Sequence, residues 1–221
     1  MSERPSASPF ALARAPVVAA VGLALLACGD DPPTSPGEGS PPESVPESEL
    51  AFVRQADEAP ALLTTDTSFV ATRGEDLRVE IFYEDPEEPG SSGERFLRFE
   101  LEEESLERYP EDHPRSGATF EPGDTVTITL RVSPDTLKAD FSPSGLQFDA
   151  GEPAELEMRW IEADRDVDDD GEEEPEFEEE VDLWKQEAPG DPYVRVGELK
   201  DFERDELRAF LDSFTIFAVA I

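Results

Sequence analysis

Three stretches of this chain alternate apolar and polar side chains with a period of two, and that pattern excludes most folds. In LRVEIFY, Leu77, Val79, Ile81 and Tyr83 stand against Arg78, Glu80 and Phe82. In TVTITLRV, Val126, Ile128, Leu130 and Val132 stand against Thr127, Thr129 and Arg131. In ELEMRW, Leu156, Met158 and Trp160 oppose Glu155, Glu157 and Arg159. Residues two apart share one face of a strand, so each stretch offers a dry face and a wet one. Shorter runs at Phe96–Leu101, Leu146–Phe148, Val181–Lys185 and Tyr193–Val196 behave alike, and the Pro-Gly pairs of EPGD (Glu121–Asp124) and APGDP (Ala188–Pro192) supply turns between them. Many short strands with little helical periodicity predict an all-β fold, a single antiparallel β-sandwich. ELRAFLDSF (Glu206–Phe214) fits either period, and the apolar run after it favours a strand.

That run, SFTIFAVAI from Ser213 to Ile221, is apolar on both faces. Alternation would send Phe214, Ile216, Ala218 and Ala220 one way and Thr215, Phe217, Val219 and Ile221 the other. A strand with two dry faces belongs inside a sheet and covered on both sides.

The formal net charge is -37, from 55 acidic and 18 basic residues, and Lys138, Lys185 and Lys200 are the only lysines. Such a surface repels nucleic acid and anionic lipid, and suits cations or basic partners. It also resembles the solvated coat of a salt-adapted protein, a reading that needs no partner. Proline and glutamate alone would suggest disorder, but 37% of the residues are hydrophobic and they cluster in alternating runs, enough for a core.

The first fifty residues read differently. Arg4 and Arg14 precede the apolar run Ala15–Ala27, which at helical rise spans about 20 Å against a bilayer core of about 30 Å. A basic stretch followed by a short apolar one is an export signal, here residues 1–27. Residues 28–48 then form an acidic, proline-rich and disordered tether with a reach of about 60 Å, and the sandwich is expected over 49–221.

The junction Leu25-Leu26-Ala27-Cys28 resembles the lipobox of bacterial lipoproteins, in which a cysteine after a small residue receives diacylglycerol. The resemblance makes Cys28, the only cysteine, the lipidation site and the membrane, through that anchor, a partner. Gly29, in place of Asp, favours the outer membrane under the lipoprotein sorting rule. FSPSGLQFDAGEPAELEMRW (Phe141–Trp160), then VDLWKQEAPGDPYVRV and SFTIFAVA, resemble in order the segments of ZU-five-type β-sandwich domains. The closing motif also resembles the self-cleaving site of related GAIN domains, where a histidine activates a Ser or Thr hydroxyl against the preceding carbonyl. Thr215 would be the nucleophile and Phe214 the residue before the bond. Ser213 stands where the histidine belongs, and the only histidine, His113, lies in a turn-like stretch, so no self-cleavage is expected.

In DRDVDDDGEEE (Asp164–Glu174), Asp166, Asp168, Asp170 and Gly171 reproduce the opening of a calcium loop. The twelfth position, which should be a bidentate Glu, is Phe177, and Pro175 interrupts the path. Calcium and a plain solvated loop both remain open readings. There is no thiol nucleophile within the domain, no G-x-S-x-G, no phosphate loop and no histidine pair for a metal. The expectation is therefore a membrane-anchored, non-catalytic envelope module with no nucleic-acid partner, an envelope protein or a cation being the candidate partner and the oligomeric state left open. A hydrolase using paired carboxylates on glycans is the alternative. Trp160 and Trp184 are expected in the core.

Overall fold

The computed structural model describes residues 44–167, 176–196, 199–201 and 204–221. Two antiparallel sheets carry the fold. The larger runs, edge to edge, β1 (Ser44–Val45), β11 (Tyr193–Arg195), β10 (Asp182–Gln186), β14 (Ile216–Ala220), β7 (Lys138–Ser142), β6 (Thr125–Ser133) and β2 (Asp66–Thr72). The smaller runs β12 (Leu199–Asp201), β13 (Glu206–Leu211), β9 (Ala154–Arg159), β4 (Ser92–Leu101) and β3 (Leu77–Glu84). A short ribbon of β5 (Leu106–Arg108) and β8 (Gln147–Phe148) lies beside them, and one helical turn, α1 (Phe177–Glu180), precedes β10. The all-β sandwich expected from the alternation is what the chain forms.

The dry faces meet between the sheets. Ile81, Phe99, Ile128, Leu130, Leu156, Met158 and Leu207 are buried there. At the centre Phe214 stacks on Phe141, with ring centroids 4.8 Å apart, and meets Phe148 edge-on at 4.9 Å and Phe99 at 5.4 Å. Trp160 and Trp184 are buried as expected. Two of the turns follow from their Pro-Gly pairs. Asp124 N donates to Glu121 O at 2.9 Å and Asp191 N to Ala188 O at 3.0 Å, with Gly123 at φ +88° and Gly190 at φ +94°. A proline followed by a residue at positive φ is the type II turn, and glycine takes that φ without strain.

The C-terminal run is the middle strand of the larger sheet. β14 pairs with β10 from Ile216↔Gln186 to Ala220↔Asp182 and with β7 from Ile216↔Asp140 to Ala218↔Lys138. Phe217 and Val219 face the inter-sheet core, whereas Ala218 and Ala220 face away from it, towards Trp184 and Tyr193. This second face is dry because the chain itself covers it. Val45, Leu50 and Phe52 pack over it, and Ala51 and Ile221 exchange backbone bonds of 3.2 and 3.0 Å. Lys138 Nζ sits 3.7 Å from the Phe52 ring centroid and 3.2 Å from a Glu47 oxygen, clamping the strap down. The folded unit thus begins ahead of the boundary expected at Glu49, with β1 already paired to β11.

Strict alternation across this tail needs one correction. Phe214 does not share a face with Ala218 and Ala220 but lies in the inter-sheet core with Phe217. Phe214 and Thr215 precede β14 and bond outside its ladder: Phe214 N donates to Leu146 O at 2.9 Å, and Gly145 N donates to Phe214 O at 3.0 Å. The period of two starts afresh at Ile216. Glu206–Leu211 is a strand, with Leu207, Ala209 and Leu211 inward and Phe210 left 43% exposed.

Candidate functional site

The smaller sheet turns its wet face outward, and its register sorts the charges into rows. One row places Glu80, Arg98, Glu157 and Arg208 side by side across β3, β4, β9 and β13; the next places Arg78, Glu100, Glu155 and Phe210. Opposite charges on neighbouring strands attract through a half-screened surface. Glu157 is the hub, 1% exposed although it lies on the outer face. It accepts from Arg95 Nη2 at 2.8 Å, from Arg208 Nη2 at 2.7 Å and from Arg98. Arg95 also reaches the buried Glu206 at 2.9 Å, and Arg78 donates to Glu80 at 2.8 Å, which holds the Glu80 carboxyl below its ordinary range. The three arginine side chains close over the hub with their guanidinium groups on its carboxylate, and are themselves largely buried. In so acidic a chain, this face is close to charge balance.

At one end of the face the strand ends and the loops after β4 and before β9 enclose a groove of about 880 Å³. Its lining includes Asp76, Arg78, Glu100, Glu152, Glu155 and Phe210. Here the alternation of charge breaks: Glu100 and Glu155 are direct cross-strand partners. Burial pushes the Glu155 carboxyl up; Arg208 pulls it down, and Glu157 adds to the rise. Both acids are held by arginines, Glu155 by Arg98 and Arg208 at 3.3 Å and Glu100 by Arg78 at 3.3 Å.

The raised carboxyl has a measurable consequence. A folded-state pKa above the unfolded one means that the folded chain binds the proton more tightly, so Glu155 costs stability as pH rises through its folded value. Glu155→Gln is expected to lose nothing at pH 7 and to gain on the wild type as pH climbs from 4 to 8. Melting curves of the two full chains across that range check it; a difference that shrinks with pH would remove the assigned cause.

The residues singled out in the sequence are not gathered at this face. Cys28 lies outside the described residues, as do Asp168 and Asp170 of the calcium triad. Asp166 is described, and its backbone N–H donates to the Asp164 carboxylate at 3.1 Å. Among the described residues no group of three or more His, Cys, Asp or Glu is placed to hold a metal. The Thr215 hydroxyl is buried and donates to Gln186 O. His113 lies in a turn, stacked on Tyr109 with centroids 4.4 Å apart, and its Nδ1 accepts from Arg115 N at 3.1 Å. Arg115 reaches from that turn to Asp124 at 2.8 Å, and its guanidinium is the chief reason the Asp124 carboxyl is lowered to about 2; Asp124 also accepts from Glu121 N at 2.8 Å in its own turn.

The arginine–glutamate rows could have been read in part from the sequence, since LRVEI, RFLRFEL, ELEMR and ELR put them at wet positions. What the sequence lacked was the order of strands. Comparison with protein-family models, with curated proteins and with solved structures returns no match.

Proposed function

We propose that this chain is a bacterial lipoprotein, held at the outer membrane or cell surface by a lipid on Cys28. In this reading its ZU-five-like sandwich serves as a non-catalytic interaction or structural module of the envelope. One observation supports the non-catalytic part: Glu100 and Glu155, the two carboxylates that the sheet itself presents to the groove, are bound by arginines. Hydrolysis of a glycosidic bond needs two carboxyls free to work from opposite sides of it. Glu100 and Glu155 instead lie side by side on neighbouring strands, each in contact with a guanidinium. The anchor rests on Leu25–Cys28 and on the short apolar run before it. Among the described residues no helix is long and apolar enough to cross a membrane.

Cys28→Ser in the full chain is expected to move the protein from the membrane fraction to the soluble envelope fraction. Retention in the membrane would reject the anchor. Purified protein is expected to leave a panel of glycans and esters intact, and turnover that disappears in Glu155→Gln would establish the hydrolase reading instead.

A further inference from the structure

The sandwich has four sheet edges, and among the described residues the chain protects two of them whole and half of a third. β1 and β12 are two and three residues long, too short to template a partner. β3 is covered over its second half, where Leu63 N donates to Phe82 O at 2.9 Å and Glu84 N to Ala61 O at 2.7 Å, and its register shifts near Phe82. Short edges, covering segments and irregular register are the devices by which β proteins prevent unwanted pairing.

β2 has none of these. It runs seven residues in unbroken register with β6, from Asp66↔Arg131 to Thr72↔Thr125, with no proline, no lysine and one charge, Asp66, at its first position. Among the described residues the backbone of Thr67–Ala71 bonds to β6 alone, which leaves its other row of donors and acceptors facing outward. Val70, on the outer face of this strand, is 56% exposed.

A second feature lies along the same side. The turn Arg73–Asp76 carries the chain from β2 straight into β3, so the edges of both sheets border one seam. Phe69 of β2 and Leu77 of β3 face inward and pack on the core, yet both remain only half-buried, as does Val79. An extra strand beside β2 would pair its backbone and lay alternate side chains over that seam.

We infer that the open edge of β2 is a strand-addition site for an extended segment of another protein, with apolar side chains alternating towards the seam and neutral or basic ones outward. The charge selects the occupant. Adjacent strands lie about 4.8 Å apart, within the Debye length of about 8 Å at physiological salt, so an added strand feels the field of the charges nearest this edge: β2, the turn after it and residues 124–133 carry Asp66, Glu75, Asp76 and Asp124 against Arg73 and Arg131. That field disfavours a second copy and any acidic segment. The site is separate from the outer sheet face and does not depend on the lipid anchor.

The probe is a capped nonapeptide with the sequence of β6, TVTITLRVS, which already pairs antiparallel with β2 and carries one arginine and no acid. Added to the full chain, it is expected to slow hydrogen exchange at alternate amides of Thr67–Ala71 by roughly tenfold or more. A scrambled peptide of the same composition should not. Methylating one alternate set of peptide nitrogens should abolish the protection while methylating the other set leaves it, because a strand pairs along one edge only. Equal effects of both methylated peptides, or no protection with any of them, would overturn the inference. So would a doubled mass in light scattering with Thr67–Ala71 protected before any peptide is added, which would make a second copy the occupant.

Discussion

A chain that stops at Thr215 is expected not to fold. The lost segment is the middle strand of the larger sheet, bonded over five register pairs to β10 and three to β7. Burial of side chains such as Phe217 and Val219 contributes about 1.5–3 kcal/mol each. Removing the strand also bares the inner edges of β10 and β7, where each buried backbone group left unpaired costs about 1–3 kcal/mol. The strap loses its partner as well, since Val53 N bonds to Val219 O at 3.0 Å and Ala51 exchanges bonds with Ile221. Together these exceed the roughly 5–15 kcal/mol that holds an ordinary domain. Near-ultraviolet circular dichroism and a thermal melt check the outcome. Trp184, opposite Ala218 in the register, should lose its fixed environment. Ile221→Ala serves as control and should melt close to the wild type, because Ile221 is only half-buried. A cooperative melt of the truncated chain within a few degrees of the full one would show that β14 is dispensable.

Glu157→Ala should be the most damaging single change on the surface of the sandwich. It leaves Arg95, Arg98 and Arg208 pointed at an empty centre, and removal of one partner from a buried ionic cluster costs about 3–5 kcal/mol. For a domain of this size that is a fall in melting temperature of roughly 10 °C. Glu157→Gln keeps an acceptor oxygen but not the charge, and is expected to fall between the two. Urea unfolding is the suitable measurement, since a salt denaturant would screen the cluster. A loss below about 1 kcal/mol for the alanine variant would mean that the arginines re-pair with Glu80, Glu155 and Glu206 and that the rows are a loose coat.

Glu157 also shows where reading from the sequence stops. Its position in ELEMRW marks it as outward-facing, and an outward glutamate is ordinarily solvated. It is buried because β4 and β13, drawn from distant parts of the chain, bring three arginine stems over it. β2 and β7 escaped the alternation for a related reason. DTSFVAT carries hydroxyl residues at both inward and outward positions, and KADFS is too short to show a period, so neither separates dry from wet until it is placed in the sheet. Phe214 marks the opposite limit: its apolar character was legible, but its face was not, because the ladder begins only at Ile216.

Strand character over Leu77–Tyr83, Thr125–Val132 and Glu155–Arg159, the Pro-Gly turns and the doubly covered tail were determined by the sequence alone. Each follows from local sterics and from which side chains avoid water, and both act within a few neighbours. The tertiary structure alone decided which strands became neighbours, and with that the burial of Glu157, the groove beside Glu100 and Glu155, and the open edge of β2. Those properties depend on backbone pairings between segments tens of residues apart, which no periodicity within one segment encodes.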